Sequence, residues 1–145
     1  MADIGMLGDL SLVDACPDRD TWHLVLDEHT GVMAELLPSR GVLALSACLG
    51  RPVSPDRTVL NELLLRYGHA WHLTGGISAS LDDAAGEFHL LMQLGAADLT
   101  ASVLREHLST FADRVRCWRY LLSRPMNGAD AVPGDALLAL AIGRV

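Results

Sequence analysis

The stretch LLLRYGHAWHLTGGISASLDDAAGEFHLLMQL, from Leu63 to Leu94, decides how this chain folds. It begins as the end of an apolar helix, which Gly75 and Gly76 terminate because paired glycines favour turns over helical backbone. Alternating apolar residues then predict a strand over ISASL, a polar turn over DDAAG and a second strand over EFHLLMQL. A helix followed by a hairpin is typical of an α+β domain.

Three more strands are predicted ahead of this stretch. TWHLVLD (residues 21–27) alternates between apolar and mixed positions, and VMAELLP (32–38) follows a turn that ends in glycine. VLALSACL (42–49) follows a second short turn over SRG. Loops this short join antiparallel neighbours, so the three strands are predicted to form a meander.

Helices are predicted around these strands from apolar residues spaced three and four apart. A short first helix covers Asp3–Val13, and Ser54 is placed to cap the middle helix. Asp98 is placed to cap a long helix that ends near Leu122. The predicted fold class is therefore α+β, in the order α-β-β-β-α-β-β-α, with an antiparallel sheet packed on the helices.

Residues 1–125 are predicted to form one domain, because a chain of 145 residues suits a single hydrophobic core. Residues 126–145 are predicted to be a linker followed by a short C-terminal helix, ALLALAIG, or a flexible tail. This helix is apolar almost all round, so it either folds back on the domain or serves as a docking piece.

The composition of the chain indicates which kinds of partner and which location to expect. The formal net charge is -7, which argues against binding to nucleic acid or to anionic membranes. The chain contains no apolar run long enough for membrane insertion and begins with no signal-peptide pattern, so we expect a cytoplasmic protein. Hydrophobic residues make up 50% of the chain and charged residues only 20%, which favours an apolar contact with another protein chain.

No pattern predicts a metal or cofactor site. His69 and His72 lie three apart near a helix end, but no third ligand has suitable spacing, so a surface or interface pair is favoured. Cys16, Cys48 and Cys117 show no CxxC spacing, which argues against a disulfide framework or a zinc knuckle.

Catalytic patterns are also missing. His107 and Cys117 are ten residues apart on one predicted helix, roughly 15 Å, so Cys117 is interpreted as a buried structural thiol. The acidic residues of DDAAGE suit a plain turn better than a Ca²⁺ loop. Three tryptophans lie on apolar stripes, where packing in a core or interface is favoured over a ligand pocket: Trp22, Trp71 and Trp118. The protein is therefore predicted not to be an enzyme, with no catalytic residue.

The segment LNELLLRYGHAWHLTGGISASLDDAAGEFHLLMQL, within this order of elements, resembles the class I (CesT/SycE-like) chaperones of type III secretion systems. The residues that carry the resemblance are Leu63 and Leu64, the strand at Gly76–Leu81, the turn at Asp82–Gly86 and the apolar strand Phe88–Leu94. The similarity spans about residues 21–122. Two departures are a shorter, glycine-broken first helix and a C-terminal tail.

The resemblance implies a homodimeric bacterial chaperone that binds the N-terminal segment of a secreted effector or secretion component and keeps it soluble and export-competent. It places the dimer interface on the middle helix and the following strand, at Leu60, Leu64, Tyr67, Trp71, Ile77, Ala79 and Leu81. Partner binding is predicted on the first helix and first strands, where an extended segment can add a strand to a sheet edge, at Leu7, Leu10, Val25, Met33 and Leu37.

Three alternatives stay open from the sequence. The first is a small regulatory or ligand-binding α+β domain, and the second is one subunit of a heterodimer with a related chaperone. A hydrolase that uses Cys117 is the third and least supported alternative.

Overall fold

A computed structural model describes residues 12–16, 20–53, 57–82, 84–124 and 134–143. Within these residues, the chain forms strands and helices in an α+β arrangement. The elements, in chain order, are β1 (Leu12–Cys16), β2 (Thr21–Asp27), β3 (Thr30–Leu37), β4 (Val42–Gly50), α1 (Thr58–His69), β5 (Ser78–Asp82), β6 (Glu87–Gly95), α2 (Ala101–Leu122) and α3 (Gly134–Ile142).

The described strands form one sheet in the order β1-β2-β3-β4-β6-β5. The pairs β1–β2, β2–β3 and β3–β4 are antiparallel. The predicted α+β class with an antiparallel sheet is confirmed. The predicted meander is also confirmed, because short loops join three consecutive strands that are neighbours in the sheet.

One element differs from the prediction at the start of the chain. The first helix was predicted as far as Val13, but Val13 lies in β1, which pairs with β2 from Leu12 opposite Val25 to Cys16 opposite Thr21. Residues 1–11 lie outside the described residues. The segment LVDAC is too short and too uniformly apolar to show a clear alternation, and Val13 fits the helical spacing of the residues before it. Pairing with β2 instead places it in a strand.

The chain divides into two compact units, with boundaries after Ala47, Leu90 and Asp113. The first unit contains β1 to β3, most of β4, the second half of β6 and the first half of α2. Alternate residues are buried in β3, β4 and β6, so one face of each of these strands is apolar and lies in the core. The buried side chains of this unit include Leu24, Val32, Ala34, Leu43, Leu45, Met92, Leu94, Leu104, Leu108 and Phe111.

The second unit contains α1, β5, the first half of β6, the second half of α2, and α3. Here α1 packs against β5 and α3. From α1, Leu60, Leu63 and Tyr67 are buried, and from α3, Leu137 and Ala141 are buried. The apolar C-terminal helix therefore folds back on α1 within this unit, which is one of the two roles that its composition predicts.

Helix starts differ from the predicted capping residues. α2 begins at Ala101, and Thr100 caps it by accepting a hydrogen bond from the Val103 backbone N–H at 3.3 Å. The predicted cap, Asp98, lies two residues earlier and is exposed. α1 begins at Thr58 after Arg57, which makes no side-chain capping hydrogen bond. Ser54 lies outside the described residues.

A tight turn separates α1 from β5. Gly75 and Gly76 both have positive φ, at 67° and 82°, which non-glycine residues rarely adopt. Thr74 is buried beside them, and its hydroxyl donates to the Ile77 carbonyl oxygen at 2.8 Å and lies 3.0 Å from the Trp71 carbonyl oxygen. This side chain therefore holds both ends of the turn together.

We expect Thr74→Val to lower the free energy of unfolding by about 1 to 2 kcal/mol, because the side-chain shape is kept while the buried Ile77 carbonyl group loses its hydroxyl donor. Urea denaturation followed by circular dichroism measures this change. Thr110→Val, at an exposed position of α2, is the matched control and should shift stability by less than about 0.5 kcal/mol. Equal effects from the two variants would contradict this role of Thr74.

Candidate partner-binding and assembly surfaces

The strands of the first unit have a second face, opposite their buried residues. In β3, Val32 and Ala34 are buried whereas Met33 and Glu35 are exposed. Strand pairing extends this face across β2 and β4, because paired residues lie on the same side of a sheet. We term it the outer face, and it consists of His23, Val25, Met33, Glu35, Leu37, Val42, Ala44 and Ser46.

The outer face is apolar in part, and its apolar residues differ in how exposed they are. Met33 is 43% exposed and lies between His23 of β2 and Ser46 of β4. Val25 and Leu37, which were also predicted to bind a partner, are half-buried. The paired β4 residues are small, and Met33 gives this face an apolar group open to solvent. The other two predicted residues, Leu7 and Leu10, lie outside the described residues.

One residue on this side of the sheet was missed from the sequence. In β6, Leu90 and Met92 are buried, whereas Leu91 between them is 39% exposed. β6 is the neighbour of β4 in the sheet, so Leu91 continues the side that carries Met33. The alternation of FHLLMQL contains this signal, because a strand that buries Leu90 must turn Leu91 the other way.

Among the described strands, β1 and β5 are the two at the ends of the sheet. A terminal strand has unpaired backbone N–H and C=O groups along its outer edge, and an extended peptide can pair with them. In β1 the side chains of Asp14, Ala15 and Cys16 are exposed. This edge belongs to the same unit as the outer face.

The predicted dimer-interface residues divide into three groups by burial. Leu60, Tyr67 and Ile77 are buried within the chain itself. Leu64 and Ala79 are half-buried. Trp71 and Leu81 are exposed, at 68% and 40%. Because buried side chains have no surface to offer a second chain, only the exposed and half-buried members are available for contact, and the interface stays a prediction.

Trp71 is exposed because α1 ends at His69, two residues before it. The helical spacing that placed Trp71 on the same stripe as Tyr67 therefore no longer applies. Its indole ring contacts the His72 ring edge to face, at 6.0 Å between centroids. An exposed tryptophan is costly in apolar surface and is typical of a protein contact.

Tyr67 and Trp118 form the aromatic centre of the second unit. Their rings meet edge to face at 5.1 Å, and both side chains are fully buried. The Tyr67 hydroxyl has no hydrogen-bond partner among the described residues. Burial raises the pKa of Tyr67 to about 12, because the phenolate cannot be solvated there. Trp118 thus serves packing, as predicted, while Trp22 is half-buried.

The other chemical candidates have structural roles. Cys117 donates a hydrogen bond from its thiol to the Leu140 carbonyl oxygen of α3 at 3.3 Å. Asp82 accepts hydrogen bonds from the backbone N–H groups of Ala84 and Ala85, and Gly86 adopts a φ of 66°, as in a plain turn. His69 and His72 are exposed.

The structure brings together three metal-ligating side chains that the sequence did not connect. One ligand atom from each of Cys48, Glu87 and His89 lies within 4.8 Å of the other two. The Cys48 thiol donates to Glu87 Oε2 at 3.5 Å. Partial burial raises the pKa of Cys48 above its ordinary value of 9.0, and the Glu87 carboxylate adds to this. Residues 39 apart give no local spacing signal, since only the pairing of β4 with β6 joins them.

In the part of the chain that the structure describes, no helix combines the length and the apolar character needed to cross a membrane.

Comparisons with known proteins identify similar folds and one family. The sequence model of the Tir chaperone protein (CesT) family matches residues 15–119, from β1 to α2. No curated protein sequence matches the chain.

Three solved structures share the fold. The first is the ExsC-ExsE complex, at 24% identity and a TM-score of 0.65, which covers 76% of this chain and 81% of the other. The second is the HopA1-SchA chaperone-effector complex, at 18% identity and 0.68, with 81% and 88% covered. The third is the Yersinia pestis type III secretion chaperone SycH in complex with a stable fragment of YscM2, at 18% identity and 0.63, with 84% and 95% covered.

The buried Tyr67 predicts a change of stability at high pH. Its pKa is about 12 in the folded chain and 10.0 when unperturbed, so its contribution is fully present below pH 10 and is lost as pH rises through 12. The free energy of unfolding should fall between pH 10 and pH 12, and Tyr67→Phe should make this fall smaller by on the order of 2 kcal/mol. Urea denaturation at a series of pH values measures it.

The matched control is Tyr120→Phe, at a half-exposed tyrosine of α2. It should leave the pH dependence as in the original chain. If the two variants flatten the profile equally, Tyr67 is not the residue responsible.

Proposed function

Because the chain belongs to the Tir chaperone protein (CesT) family, we propose that it is a type III secretion chaperone that binds the N-terminal segment of a secreted effector or secretion component. Binding keeps that segment soluble and competent for export. The family match covers residues 15–119, which include every described strand except the first three residues of β1. The same membership favours this function over a ligand-binding domain.

The observation that carries the proposal at residue level is the outer face. It is a strand surface of mixed polarity whose apolar members, Val25, Met33 and Leu37, stay partly open to solvent. An extended client segment has alternating side chains, so one set can rest on this apolar surface while the other set faces water. The outer edge of β1, which is terminal among the described strands, offers such a segment backbone partners in the same unit.

The proposed activity is binding without turnover, so the protein acts as a chaperone and not as an enzyme. Neither a cofactor nor a catalytic residue enters the mechanism. Affinity comes from apolar burial and backbone hydrogen bonds, and release requires only that these contacts be exchanged for others. We place the protein in the bacterial cytoplasm, where a client is held before export.

We expect Met33→Asp to weaken client binding by at least about tenfold, since a buried carboxylate without a partner costs more than about 1.4 kcal/mol. The client is first captured on the tagged chain from a lysate of the source bacterium and identified by mass spectrometry. Calorimetry with its purified N-terminal segment then gives the affinity. Leu37→Asp is the second variant, at the half-buried neighbour.

Ser39→Asp, on the exposed turn after β3, adds the same charge outside the outer face and is the matched control. It should bind as the original chain does. A thermal melt separates binding from folding: Met33→Asp should melt normally, because the side chain is already exposed. A large loss of stability would show that the position is core and not a binding surface.

We further propose a homodimer whose contact includes Trp71 and Leu81, with the half-buried Leu64 and Ala79 beside them. These are the members of the predicted interface that the chain leaves available. The buried Leu60, Tyr67 and Ile77 are core residues beneath this surface. A heterodimer with a related chaperone is the alternative, and it predicts that the chain expressed alone aggregates while co-expression makes it soluble.

We expect light scattering to give twice 15.6 kDa for the original chain and a mass near 15.6 kDa for Trp71→Glu, because a charge replaces apolar contact area. Leu65→Glu is the matched control, at an exposed leucine of α1 outside the proposed interface. It should stay dimeric. A dimer in both variants would move the interface elsewhere, and a monomeric original chain would overturn the homodimer.

A further inference from the structure

Cys48, Glu87 and His89 lie on the side of the sheet opposite the core of the second unit. Glu87 and His89 are two residues apart in β6, so their side chains point the same way, while Phe88 between them is buried. Cys48 is in β4, the neighbour of β6 in the sheet. It is exposed, and the next residue, Leu49, is buried. Strand pairing therefore fixes the three side chains on one surface.

The distances suit one small metal ion. The ligand atoms of all three residues lie within 4.8 Å of one another, and Cys48 Sγ lies 3.5 Å from Glu87 Oε2. A tetrahedral ion with Zn–S of about 2.3 Å and Zn–O of about 2.0 Å holds its sulfur and oxygen ligands about 3.5 Å apart. The His89 ring can turn about its χ angles towards such an ion without a change in the strand.

The ligand types select among metals. A thiolate and an imidazole favour zinc, whereas calcium and magnesium favour sets composed of oxygen alone. A zinc ion bound by one Cys, one Glu and one His has its fourth position open to water, as in other sites with three protein ligands. The Cys48 backbone also has a fixed position, since its carbonyl oxygen accepts a hydrogen bond from Arg119 Nη2 at 2.7 Å.

We propose that Cys48, Glu87 and His89 form a three-ligand Zn²⁺ site with water as the fourth ligand. The ion links β4 to β6 on the side of the sheet that faces away from the core. The proposed ligands are different residues from the client-binding candidates, so the two proposals are tested separately. It gives the sheet a cross-link that depends on metal supply.

The test uses the full chain, freed of metal with a chelator and titrated with ZnCl₂. We expect one zinc per chain by elemental analysis after dialysis, and a higher melting temperature with zinc. Cys48→Ser, Glu87→Gln and His89→Ala should each weaken zinc binding at least tenfold by calorimetry and abolish the thermal shift. Co²⁺ in place of zinc should give a thiolate-to-cobalt absorption band that Cys48→Ser removes.

Two controls address other ligands on the chain. Cys16→Ser removes an exposed thiol in β1. His72→Ala removes an exposed histidine that lies just after the end of α1. Both should bind zinc as the original chain does. Melting of the metal-free variants should match the metal-free original chain, which shows that the substitutions leave the fold intact.

Three results would overturn the proposal. The first is the absence of zinc binding by the original chain. The second is zinc binding by Cys48→Ser or His89→Ala that is as tight as binding by the original chain. The third is loss of binding in Cys16→Ser or His72→Ala, which would place the ion elsewhere. Light scattering should give the same mass with and without zinc, because the proposed site is complete within one chain. A larger mass in the presence of zinc would indicate an ion that bridges two chains.

Discussion

The burial of one face of the sheet is the constraint on which the other features depend. In the first unit, Leu24, Val32 and Leu45 are almost fully buried, and in the second unit Phe88 and Leu90 are too. Each such side chain contributes roughly 1.5 to 3 kcal/mol when removed from water. A strand that slipped by one residue would turn its whole apolar set to solvent, so this burial fixes the strand register.

Everything on the opposite side follows from that register. Met33 and Leu91 are exposed because their neighbours along each strand are buried, and the Cys48 cluster forms because Leu49 and Phe88 face the other way. The outer face is therefore a by-product of core packing. Its residues are free of the demands of the core, so their polarity can suit a partner without a loss of stability. This separation lets one face of the sheet hold the core while the other stays available for the proposed partner.

The sequence predicts the elements that rest on local alternation or helical period, and it fails where longer-range pairing decides. The strands of the meander and the two strands after Gly76 were predicted within a few residues of their bounds. β1 was not, because LVDAC is too short to outweigh the helical spacing before it, and only pairing with β2 fixes it. Trp71 was placed on a helical stripe that ends before reaching it. The Cys48 cluster has no local signal, since α1 and β5 separate its two strands along the chain.

β1 is a terminal strand among those that the structure describes, and a terminal strand carries a cost for any protein. A strand edge that accepts one extended segment accepts others, including the same edge of another copy, and such pairing is the first step towards insoluble fibrils. Two features of the described strand limit this: it is five residues long, and an exposed carboxylate, Asp14, lies at its centre. Two copies that paired edge to edge would bring these like charges close together, whereas a client with a basic residue at that position would not meet the same repulsion. The charge of this single side chain therefore disfavours pairing between two copies at this edge.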